Sequence, residues 1–244
     1  MKLFKTTLVV IAAATMLTGC LKDNETKFEI GSPFGFVIQQ QTGTETFNFS
    51  PYIGFYTYGK EKMETGRITT LIAPAGLSGI KTDNFYETKF LSNGVGSNLS
   101  LLSSTYSIYA ESALGTEKGA SITLNYASSD AMGSIEISEF KYENGELSAT
   151  INDVENADAY GFMAIPEDED NPSTSLLNAG MLTASRSSDG RISRTLSSTF
   201  DYEKVIVVPF AVSSNAFYQN IYLIKWEDRR TISSGATTFD EIPE

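Results

Sequence analysis

The sequence predicts an all-β protein of two tandem antiparallel β-sandwiches, and three observations carry that expectation. Short runs alternating apolar and polar residues recur along the chain, parted by clusters of Gly, Asn, Asp and Ser, the pattern of half-buried strands joined by tight turns. After Cys20 no stretch sustains the three-and-four apolar spacing of a helix. Both halves also close alike, "STYSIYAESALGTEKGASITLNYA" and "EKVIVVPFAVSSNAFYQNIYLIKW" each reading as strand, turn, strand. That repeat puts the junction in "SSDAMG", residues 128–133. The expected layout is an export segment over 1–19, a linker over 20–27, sandwiches over 28–130 and 131–232, and a polar C-terminal tail over 233–244.

The N-terminus comes first. Lys2 and Lys5 precede the uncharged run "TTLVVIAAATML" and the small residues Thr18 and Gly19, the tripartite order of a secretory signal peptide. The run is about a dozen residues, whereas a spanning helix needs about 20, so the segment is read and removed rather than kept as an anchor. Leu17, Thr18, Gly19 and Cys20 resemble the lipobox of bacterial lipoproteins. The resemblance implies cleavage between Gly19 and Cys20 after the thiol has received a diacylglycerol. That diacylglycerol already brings the two acyl chains that stable tethering requires, and further acylation, by palmitate or a similar chain, adds a third. Leu21 in place of an acid directly behind the cysteine lacks the inner-membrane retention signal, and Lys22, Asp23 and Glu25 resemble the surface-export signal of Bacteroidota-type lipoproteins. The expected address is the outer membrane, lipid-anchored and facing outward.

The strands follow in order. The first half offers "GFVIQQ", "TFNFS", "YIGFYTYG", "RITTLIA", "YSIYAES" and "ASITLNYA"; the second offers "SIEISEFKY", "ELSATI", "AYGFMAI", "SRTLSSTF", "KVIVVPFAV" and "NIYLIKW". Residues 101–119, "LLSSTYSIYAESALGTEKG", resemble the end of a fibronectin type III or related immunoglobulin-like domain. That resemblance puts Tyr106 at the corner-tyrosine position, ring packed and hydroxyl bonded to backbone. "SIEISEFKYENGELSATINDVENADAYGFMAI" resembles the opening three strands of the same fold, with Ala157 and Tyr160 of "VENADAY" packing as the chain enters the central strand. Both sandwiches are therefore expected to be immunoglobulin-like, each folding alone, the second within residues 134–230.

Composition excludes several chemistries. The chain has 18 Lys plus Arg and 30 Asp plus Glu; losing Lys2 and Lys5 with the signal leaves 16 against 30, a net charge of −14. Such a surface repels nucleic acid and anionic headgroups, so the membrane is met only through the Cys20 lipid. There is no histidine, which removes the Ser-His-Asp triad, imidazole zinc sites and the usual general base near neutral pH. Acylation of Cys20, the single cysteine, removes thiolate chemistry and disulfides as well. What remains is paired carboxylates, a Ser-Lys pair or a tyrosine nucleophile, and sandwiches of about 100 residues seldom supply the deep cleft these need. The chain reads as non-catalytic, with no cofactor and no metal site.

Three stretches could carry a ligand. Glu167, Asp168, Glu169 and Asp170 in "PEDEDNPS" offer hard oxygens of the kind calcium takes, but without the Gly-bearing loop of an EF-hand they read as a solvated turn. Trp226 reads as a ring tucked into the last strand. On a strand through "YIGFYTY", Tyr52, Tyr56 and Tyr58 share one face while Ile53 and Phe55 share the core face. An outward tyrosine row can stack on sugar rings or anchor a protein. Two functions fit. One is a surface-tethered binding or adaptor module, a glycan-binding accessory of an outer-membrane nutrient importer. The other is a structural subunit such as a fimbrillin-like pilus protein. Pilus precursors need an Arg before the first strand, and here the first Arg is Arg67.

Overall fold

The structure is a computed structural model that describes residues 29–30, 33–54, 57–58, 66–72, 98–112, 117–167, 180–197 and 203–240. Residues 1–28, which hold the expected export segment, Gly19, Cys20 and the expected linker, and Phe55, Tyr56 and residues 168–170 lie outside the described residues. The described chain is all-β. Its strands are β1 (Glu29–Ile30), β2 (Phe34–Gly43), β3 (Thr46–Gly54), β4 (Thr57–Tyr58), β5 (Gly66–Ile72), β6 (Ser104–Ser112), β7 (Glu117–Leu124), β8 (Ile137–Glu143), β9 (Glu146–Ile151), β10 (Ala159–Glu167), β11 (Gly180–Ala184), β12 (Arg191–Thr195), β13 (Lys204–Ser214), β14 (Asn220–Ile224) and β15 (Arg230–Ser233).

The second half builds an immunoglobulin-like sandwich, and its strand order shows this directly. β8, β9 and β12 form one sheet, while β11, β10, β13 and β14 run side by side in the other. In chain order these are strands A, B, C, C′, E, F and G, with A-B-E facing C′-C-F-G. Asn144 and Gly145, both at positive φ (49° and 87°), turn β8 into β9, which is what an Asn-Gly hairpin loop requires. Alternation along β10 sends Tyr160, Phe162 and Ala164 into the core between the layers, where Phe162 lies 5.9 Å from the Phe140 ring of β8. Ala157 packs at the edge of that core, and the Tyr160 hydroxyl accepts the Val154 N–H at 3.0 Å, as the "VENADAY" reading implied.

The sheet does not stop at the expected boundary. β14 pairs in parallel with β2, Ile221 beside Val37 and Ile224 beside Gln40, and β2 pairs with β3, so the order is β11-β10-β13-β14-β2-β3, with β15 on the other part of β13. Residues 28–130 and 131–232 are thus not separate bodies. One core joins Val37, Phe49, Ile53, Leu99, Leu102 and Leu124 of the first half to Ile135, Leu147, Phe162, Val207 and Leu223 of the second. The physical reason lies in β14, whose outer edge carries N–H and C=O groups that must pair, and β2 supplies them.

The junction itself is stapled by two buried glutamines of β2. The Gln39 side chain donates to the Met132 carbonyl at 2.7 Å and accepts the Met132 N–H at 3.0 Å; Gln41 Oε1 accepts the Ile135 N–H at 2.8 Å. The Met132 N–H and C=O and the Ile135 N–H are therefore satisfied by the opposite half.

Two sheets remain, β5-β6-β7 and the two-stranded β1-β4. Tyr106 opens β6 fully buried, and its hydroxyl donates to the Leu102 carbonyl at 3.1 Å, the corner-tyrosine bond the sequence resemblance implied. Residues 233–240 are not a free polar tail. Phe239 lies edge-on to Phe140 at 4.7 Å, and the Asp240 carboxylate accepts the Ser233 N–H and hydroxyl at 3.1 and 2.9 Å. The large sheet is apolar on its second face too, where Ile38, Tyr52, Met163, Ile165, Val208, Phe210 and Ile224 are buried together.

Candidate functional site

The expected tyrosine face does not form as drawn. Tyr52 is 8% exposed and its ring stacks on Phe36, 5.2 Å between centroids and 5° between planes, in the second-face cluster of the large sheet. Both faces of that sheet are apolar, so the residues opposite Ile53 are buried as well as Ile53 itself; alternation alone cannot distinguish a two-faced sheet from a solvated one. β3 also ends at Gly54, and Tyr58 sits in the separate β4, its backbone paired with Glu29 of β1. Trp226 is not in a strand. It starts a 3₁₀ turn behind β14, half-buried against the second face, with the Arg229 guanidinium 5.1 Å over its ring. Glu167 ends β10, and no group of three or more metal-ligating side chains occurs among the described residues.

What the sequence reading missed is the loop between β13 and β14. "SNAFYQN" places two aromatic residues where a hairpin turn calls for small polar ones. Phe217 is 62% exposed and Tyr218 91% exposed. The loop is not slack. Asn215 Oδ1 accepts the Phe217 and Gln219 N–H groups at 2.9 and 3.0 Å, and the Tyr218 N–H donates to the Asn215 carbonyl at 2.9 Å. Tyr218 is held at φ 58°, a left-handed conformation that a bulky residue adopts at a cost.

The loop is also fastened to the other half of the chain. Asn215 Nδ2 donates to the Asn125 carbonyl at 2.6 Å; the Gln219 amide donates to the Thr123 carbonyl and accepts the Asn125 N–H, both at 2.8 Å; the Tyr126 hydroxyl donates to the Asn220 carbonyl at 3.3 Å. These bonds fix the loop that carries the two rings to residues 123–126.

Two shallow clefts flank this contact and share Asp130 and Asn215. The first, of about 330 Å³, is lined by Ser103, Asn125, Tyr126, Asp130, Asn215 and Phe217. The second, of about 280 Å³, includes Asn156, Asp158 and Ser214. Asp130 uses one carboxylate oxygen on the Ala127 N–H at 2.8 Å, and Asp158 uses one on the Ser214 N–H at 2.7 Å. Among the described residues the other oxygen of each, and the Asn125 side-chain amide, have no protein partner. Burial pushes the Tyr126 phenol far up, helped by Tyr106 and the Asp130 carboxylate, so it stays a neutral donor. The end of the molecule thus joins two exposed rings to an acceptor-rich floor.

The chain matches no protein-family model and no curated protein. Among solved structures it is similar to the tandem Ig repeats of Dlar, at 14% identity over 80% of this chain and 98% of that one, with a TM-score of 0.31. It is also similar to the N-terminal Ig1-2 module of the Drosophila receptor protein tyrosine phosphatase DLAR, at 13% identity, the same coverage and the same TM-score. At that TM-score the fold assignment stands on the strand order above.

Proposed function

We propose that the protein is a non-catalytic binding module, tethered to the outer membrane through acylated Cys20, that engages its ligand with the end bearing Phe217 and Tyr218. The observation that carries this reading is the aromatic pair itself: two rings exposed to water on a loop that eight hydrogen bonds hold in place. Exposed aromatics cost solubility, and left-handed backbone at a tyrosine costs stability; both are expected where a ring is kept for contact with something else. The lipobox resemblance and the acidic composition fit a tethered domain that approaches neither membrane nor nucleic acid by charge.

The test is photo-crosslinking on intact cells. A photoreactive phenylalanine analogue replaces Tyr218 in one strain and Asn144 in another; the Asn144 turn bonds Thr237 and lies toward the far, Lys204 end of β13. Covalent adducts at 218, absent at 144 and lost from the cell surface on Cys20→Ser, are the expected result. No adduct at 218, or equal adducts at both positions, would overturn the reading.

A further inference from the structure

We infer that the ligand of this end is a neutral oligosaccharide lying across the two clefts. The inference rests on the binding reading above and adds the class of ligand. A pyranose has an apolar C–H face and a rim of hydroxyls, and the site offers the complement of each. Phe217 and Tyr218 supply rings for the face, Phe217 lining the first cleft and Tyr218, the next residue of the loop, exposed to water. The unpartnered oxygens of Asp130 and Asp158 accept hydroxyl protons, and the Asn125 amide can donate as well as accept. An anionic ligand would meet two carboxylates and a chain carrying 30 acids against 18 bases.

Size points the same way. Two open clefts of about 330 and 280 Å³ lie next to one another, with Asp130 and Asn215 lining both, and neither is a closed pocket. Two neighbouring open clefts suit several linked units in a row, not the end of one. Because the Asn215 and Gln219 side chains are spent on holding the loop, the ligand meets a surface already in place, and little ordering opposes binding.

The experiment is an array of neutral and acidic oligosaccharides probed with multimerised residues 21–244, the mature chain without its acylated cysteine, beside Phe217→Ala and Tyr218→Gly. Glycine suits φ 58°, so the second variant keeps the loop and loses only the ring. Neutral oligosaccharides should bind, survive 0.5 M salt, and weaken about tenfold in each variant. A basic peptide is the competing occupant of two rings beside two carboxylates, and it would bind in a salt-sensitive way. Peptide binding without saccharide binding, acidic glycans alone, or saccharide signals undiminished in both variants would overturn the inference. Adducts at position 218 on cells with a silent array would remove the saccharide and leave the binding module standing; silence in both would remove both.

Discussion

Tyrosines show best how a residue's meaning depends on what closes over it. Tyr106 was legible because its role is local: a hydroxyl reaching a carbonyl four residues back depends on the turn around it, which "LLSSTY" encodes. Tyr52 was misplaced because strand parity says which residues share a face and not whether that face is covered. The same burial sets a pH dependence. Burial pushes the phenols of Tyr52 and Tyr106 up to about 12 from 10.0, and that of Tyr126 further. Each folded value lies above its unfolded one, so the stability linked to these groups is fully present below about pH 10 and is lost as pH rises toward 12, on the order of 2–3 kcal/mol for Tyr52. With no histidine in the chain, no such loss is expected through the neutral range. Absorbance at 295 nm against pH should show a tyrosine fraction that ionises only with unfolding and joins the rest when urea is present. A native chain whose phenols all titrate together near pH 10 would contradict the burial of these three.

At the scale of an element, β2 carries the main departure from expectation. Its "FVIQQQ" reads as an apolar start fading into polar residues, the look of a strand running out toward solvent. Instead Gln39 is fully buried and Gln41 nearly so, because the segment 131–135 crosses them with unpaired backbone groups that a side-chain amide can satisfy. No periodicity in the sequence announces such a partner, which lies more than 90 residues away. The hairpins, by contrast, were readable: Asn144-Gly145 and the repeated strand-turn-strand endings are local signals, and β6–β7 and β13–β14 form as expected. The aromatic loop was missed although it left a local signal, since Phe217-Tyr218 breaks the polar composition of a turn. Gln39→Ala should strand the Met132 N–H and C=O in the interior and cost about 2–4 kcal/mol. Gln40→Ala, on the neighbouring half-buried side chain, should cost under about 0.5 kcal/mol. Urea unfolding midpoints at unchanged slope measure the difference, and equal midpoints for the two variants would deny the staple its role.

For the whole molecule the question is how many units fold. The repeat in the sequence argued for two, with residues 134–230 sufficient for the second; the sheet argues for one. Cutting at 134 removes β2 from the edge of β14 and uncovers the core beside Ile221 and Leu223, while cutting at 230 removes Ile232 and Phe239. Val37, Phe49, Ile53, Leu102, Leu124 and Ile232 are each buried in the shared core, and burying one such side chain is worth about 1.5–3 kcal/mol. Losing even a few of those contributions matches the about 5–15 kcal/mol by which a domain of this kind is stable at all. Residues 21–244, the mature chain without its acylated cysteine, should therefore melt in one cooperative transition followed alike by near-ultraviolet and far-ultraviolet circular dichroism. The fragment 134–230 should show no cooperative melt and a collapsed amide spectrum. Mixing it with residues 21–133 should restore dispersion, because the missing strand then returns to the β14 edge. A fragment that melts cooperatively by itself, within about 5 °C of the whole chain, would mean that β2 adds a strand without adding stability, and that the second half is a domain in its own right.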